Sequence, residues 1–104
     1  MRGDIKQLPV EKLYNDKGQV AVAISPDFGA GWSTEELVNP MDAKYNKLIL
    51  EQKIEELIAL ARSEGHFVGS LPTTELVWLD PGTKFDITNY DGAETIVISD
   101  PWIA

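Results

Sequence analysis

A single histidine, His66, stands in a chain of 104 residues that contains no cysteine. General acid–base work and metal binding need companions at defined spacing. Nothing around His66 supplies them, and a Ser-His-Asp constellation would rest on this one imidazole. The absence of cysteine removes disulfides, thiolate catalysis and Cys-ligated zinc together. His66 therefore reads as a structural or surface residue at the end of a helix. The remaining acid–base groups are carboxylates, with Asp86 and Asp91, or Asp80 and Glu94, as pairs that a sheet could bring together. A glycosidase-type pair needs a cleft and one member with a raised pKa, and the sequence shows neither. The expectation is a non-enzymatic protein with no cofactor and no metal site.

The segment Phe28-Gly29-Ala30-Gly31-Trp32-Ser33 is a candidate for binding rather than catalysis. Two glycines let backbone approach a ligand closely, and the helix start that follows favours anions. Two aromatics flank the glycines and could stack on a base. Phe28, Gly29, Gly31, Trp32 and Ser33 would then cradle a small nucleotide-like ligand. The plainer reading is a glycine-rich turn whose Trp32 and Phe28 plug the core. No lysine follows the glycine pair as a P-loop requires.

Charge suggests a second kind of site. The formal net charge is −8 and the isoelectric point lies near 4.4. A field of that sign repels phosphate backbones, so direct nucleic-acid binding is not expected. It suits a protein partner with a basic surface. From Glu75 onward the acids are Glu75, Asp80, Asp86, Asp91, Glu94 and Asp100, against Lys84 alone. Asp80, Asp86, Asp91 and Glu94, with Tyr90 at a hairpin tip, are the candidate partner-binding residues.

The elements that must position these groups follow from pattern. Gln19 to Ile24 is a strand with Val20, Val22 and Ile24 on one face and the small Ala21 and Ala23 on the other. Apolar residues on both faces predict a central, covered strand. Ser33-Thr34-Glu35-Glu36 fits a capping box, and the short helix it opens ends at Asn39-Pro40. Asp42 caps a longer helix to about Glu64, with Leu50, Ile54, Leu57, Ile58 and Ala61 as its core stripe, a break near Gln52, and Gly65 as the residue beyond its end. Thr74 to Leu79, Lys84 to Tyr90 and Glu94 to Ile98 are strands, joined by Asp80-Pro81-Gly82 as a type II turn and Asp91-Gly92 as a hairpin. Leu76 and Trp78, Phe85 and Ile87, and Ile96 and Ile98 are the expected inward faces. Trp102, with Ile103, either docks back on the domain or anchors an interface.

The fold class is thus α+β: one domain over residues 1–104, an antiparallel sheet made of a C-terminal three-strand meander plus an N-terminal strand or hairpin, and one main helix across one face. No apolar run reaches the length of about 18 residues that marks a membrane helix. No apolar signal region follows Met1, so the expected location is cytoplasmic.

Two blocks of sequence resemble small uncharacterised accessory proteins of tailed bacteriophages. The first is the strand from Gln19 that runs into Ser25-Pro26 and then Gly29-Ala30-Gly31-Trp32-Ser33-Thr34. The second runs from Val77 through Pro81-Gly82-Thr83-Lys84-Phe85 to Tyr90-Asp91-Gly92-Ala93-Glu94, and the Trp-Ile-Ala ending matches as well. The resemblance implies no known activity and no site residues. It implies phage origin, and with it a role against host defence. One form is an inhibitor that docks its acidic surface on a host protein in the cytoplasm. A second is a sponge that sequesters a nucleotide signal in the glycine loop, with Tyr90 reaching it across a homo-oligomer interface. A third is a minor virion or assembly component.

Overall fold

The computed structural model describes residues 10–26, 31, 32, 34, 38–66, 69, 73–90 and 93–104. Its elements run β1 (Val20–Ile24), α1 (Ala43–Leu50), α2 (Ile54–Ser63), β2 (Glu75–Leu79), β3 (Lys84–Tyr90) and β4 (Ala93–Ile103). Two antiparallel sheets with helices make it an α+β fold.

β1 is the axis of the molecule. Every one of its residues is buried. Val20, Val22 and Ile24 face a core with Met41, Phe85, Ile87, Trp102 and Ala104. Ala23 faces a second core with Trp32, Val38, Tyr45, Leu57 and Ala61. The small side chains on that second face let the helical layer come close, as the sequence pattern predicts. Burying each Val or Ile side chain of β1 contributes about 1.5–3 kcal/mol relative to leaving it in water. The second edge of β1 is closed by connecting chain rather than by a strand. Ala21 N–H donates to Leu13 O (2.9 Å) and Ala23 N–H to Pro40 O (2.9 Å). The buried Asn46 donates from Nδ2 to Ala21 O (3.1 Å) and Pro40 O (2.9 Å), so those carbonyls are not left unsatisfied inside the fold.

The C-terminal strands do not form a single meander. β2 pairs with β1, in register from Val20 opposite Leu79 to Ile24 opposite Glu75, while β3 pairs with β4. Asp80-Pro81-Gly82 does form the expected turn. Thr83 N–H donates to Asp80 O (3.1 Å), and Gly82 has φ +87°, the value that type II geometry demands at that position. This turn carries the chain from one sheet to the other instead of folding it back. The cause is the apolar content of both faces of β1 and β2, which fits a pair sandwiched between two layers.

β4 is interrupted. Val97 lies opposite Asp86, but Trp102 lies opposite the adjacent Phe85, so residues 98–101 bulge out of the ladder. Pro101, with no N–H to donate, falls in this bulge. Beyond it the chain is pinned again: Gly82 N–H donates to Ala104 O (2.7 Å) and Ala104 N–H to Thr83 O (2.9 Å). Trp102 docks back on the domain, buried and stacked on Phe85 at a ring separation of 6.3 Å.

The main helix breaks at Gln52. Asp42 caps α1 by accepting from Lys44 N–H. At the other end Gln52 N–H donates to Ile49 O (3.1 Å) and Lys53 N–H to Leu48 O (3.0 Å), a Schellman motif with Gln52 at φ +57°. The same pattern ends α2, where Gly65 N–H donates to Arg62 O (3.0 Å) and His66 N–H to Ala61 O (3.0 Å). There the left-handed residue is glycine, as the sequence predicts.

Candidate functional site

The most unusual group in the structure is the Glu94 carboxylate. It sits at the start of β4 and is 2% exposed. Its Oε1 accepts from Ser25 N–H (2.9 Å), while Oε2 accepts from Trp32 N–H (3.0 Å), Thr34 N–H (2.9 Å) and Thr34 Oγ1–H (2.6 Å). Asn89 Nδ2 donates in turn to Thr34 Oγ1 (2.7 Å), and Glu94 N–H donates to Ser25 O (2.7 Å). Among the described residues no cation pairs with Glu94. Its charge is held by oriented backbone and hydroxyl dipoles, the arrangement by which backbone concavities bind anions.

This network decides how the glycine loop is used. Two amides of the segment expected to bind an anion, Trp32 N–H and Thr34 N–H, are already given to an internal carboxylate. Trp32 itself is fully buried in the second core, edge-on to Tyr45 at 5.2 Å and to His66 at 5.5 Å. Gly31 is buried as well. The described part of the expected cradle is therefore core and support. Phe28, Gly29 and Ser33 lie outside the described residues, as does most of the expected capping-box helix. His66 packs edge-on against Trp32 and Tyr45, at 6.2 Å from the latter. Among the described residues no group of His, Asp and Glu could hold a metal ion. Beside this cluster Glu64 accepts from Tyr45 OH and from Lys44 Nζ (2.8 Å), which ties α1 to the end of α2. The hydrogen bond to Glu64 holds the Lys44 pKa above its usual 10.5.

The expected acidic face is rearranged in the same way. Glu94 points inward and offers nothing to a partner. Asp80 is exposed in the turn and accepts from Gln19 Nε2 (3.2 Å). Asp86 is half-buried and caps the N–H of Ile87 (2.8 Å). Tyr90 is 73% exposed, and Asp91 lies outside the described residues. Of the carboxylate pairs considered for catalysis, Asp80 and Glu94 do not meet, because Glu94 is turned into the loop while Asp80 faces solvent; the pair of Asp86 with Asp91 lies outside the described residues.

The outer face of β3 and β4 mixes polar and apolar side chains. The register places Lys84 opposite Ile103, Asp86 opposite Val97, Thr88 opposite Thr95 and Tyr90 opposite Ala93. Tyr90, Val97, Ile98 and Ile103 are all exposed large apolar side chains. Ile98 was expected inward by alternation with Ile96. The bulge begins immediately after Val97 and leaves Ile98 75% exposed. Sequence reasoning missed Val97 and Ile98 as a surface, since a bulge defeats any period-2 count.

No protein-family model, curated protein or solved structure matches the chain. Among the described residues no helix is long and apolar enough to cross a membrane.

Proposed function

We propose that this chain is a non-enzymatic protein-binding module that docks through the outer face of the β3–β4 hairpin. The observation that carries this reading is the exposure of Tyr90, Val97 and Ile103 at outward positions of the β3–β4 ladder, with Ile98 exposed next to Val97 in the bulge. Single exposed apolar residues are ordinary on any protein, whereas several together on one face mark interaction surfaces. Asp86 lies among them opposite Val97, with Asp80 exposed in the turn before β3. The chain as a whole is strongly acidic. Such a face suits a partner with an apolar patch bordered by Lys or Arg. Read with the resemblance to phage accessory proteins, the partner is a host protein, and the chain is its inhibitor.

The test is affinity purification of the tagged full chain from host cells, in parallel with Tyr90→Ala and Ile98→Asp. A host protein retained by the parent and lost by both variants, with binding weakened by salt, supports the reading. A partner held equally by all three overturns it.

A further inference from the structure

A second surface, on the other sheet, has the geometry to accept a strand. β1 directs the N–H groups of Ala21 and Ala23 away from β2, toward Leu13 and Pro40. In an antiparallel pair, residues bond to the facing strand and away from it in alternation. The ladder to β2 is therefore carried by Val20, Val22 and Ile24. Leu76 and Trp78, which lie opposite Ala23 and Ala21, turn their N–H and C=O groups to the outer edge. Among the described residues no strand pairs with that edge. An edge of this kind is a template for another chain.

Beside this edge lies an open groove of about 360 Å³, lined by Ile49, Leu50, Thr74, Glu75, Leu76 and Trp78. Trp78, expected in the core, is half-buried and lines this groove. Leu50 is 52% exposed where α1 ends. The charged member of the lining is Glu75, and the carbonyl end of α1 abuts the same space, so both fields favour a cation. We propose that the β2 edge and this groove bind an extended segment of a partner protein as an added strand. That segment is apolar at alternate positions, with Lys or Arg beside them. A second copy of this chain fits less well: its own edge, Glu75 to Leu79, carries no basic residue, and each copy has a charge of −8. The proposal is independent of the β3–β4 face, and either can fail alone.

The test is an NMR titration of the 15N-labelled full chain with a capped hexapeptide of alternating Leu and Thr, ended by Arg on both sides. Shifts are expected at the Leu76 and Trp78 amides and at the Trp78 indole. Residues that hydrogen-bond the edge also point their side chains into the groove, so the leucines do both. Methylating the leucine backbone nitrogens should weaken binding at least about tenfold, while methylating the threonine nitrogens should leave it intact. Exchanging Arg for Glu in the peptide should weaken it as well. Equal loss with both methylated peptides, or no shifts at millimolar peptide, overturns the proposal. Concentration-dependent shifts centred on Val77 without peptide would assign the edge to a second copy and overturn it too.

Discussion

The two faces of the β3–β4 hairpin break the usual alternation in opposite senses. The inner face buries Phe85, Ile87 and Trp102, and among these apolar groups it also buries a carboxylate, Glu94. The outer face, which water should keep polar, exposes Tyr90, Val97 and Ile103, and the bulge beside it exposes Ile98. The inner exception is explained within the fold, since four donors from residues 25–34 converge on Glu94. The outer exception has no such explanation among the described residues. A polar group that the fold satisfies is a structural device, whereas apolar groups that it leaves in water point to something outside it.

The sharpest way to break this contrast is Glu94→Ala. It removes the acceptor of the buried Ser25 and Trp32 amides, each worth about 1–3 kcal/mol when left unsatisfied. The expected loss is about 3 kcal/mol or more, read as a lower urea midpoint with an unchanged m-value. Amide exchange at Ser25 and Trp32 should lose protection before β1 does. Glu94→Gln should cost less, because one oxygen remains to accept while the new amide meets N–H groups head-on. A near-neutral Glu94→Ala would mean that the network is incidental.

How much of this was legible in the sequence depends on how local each cause is. The first strand covered on both faces, the Asp42 cap, the break near Gln52, the Gly65 helix end and the type II turn at Gly82 were all legible, because spacing and residue type act within a few positions. The pairing of β2 with β1 was not: a turn's chemistry says how the chain reverses, and not which sheet it rejoins. The bulge at residues 98–101 was equally hidden, and with it the exposure of Ile98. Glu94 was read as a surface acid because its partners, Ser25, Trp32 and Thr34, are about sixty or more positions away. No local pattern carries such a contact.

Next in size comes the packing behind the inner face. Ala23 lies where β1 meets Trp32, Tyr45 and Leu57 with no exposed surface. Ala23→Leu should cost about 1–3 kcal/mol by forcing those side chains off their rotamers. A thermal melt checks it, and a smaller loss would mean that the helical layer yields readily. Gln52→Gly carries the opposite sign. Gln52 holds φ +57° at the left-handed position of its Schellman motif, where glycine has no steric penalty. The variant should gain about 0.5–1 kcal/mol in urea unfolding. A loss there would show that the Gln52 side chain holds the two helices in place.

The smallest expected change in stability is also the one that bears most on function. Ile98→Asp puts a charge on a residue that is 75% exposed and lies in the bulge, outside the β3–β4 ladder. Surface substitutions of this kind stay within about 0.5 kcal/mol, and a urea midpoint matching the parent's is expected. Were Ile98 a loosely covered member of the core, an unpaired buried carboxylate would cost several times more. An unchanged fold that has lost its partner would then separate the two faces cleanly: the inner holds the protein together, and the outer is kept apolar for a surface that is not its own.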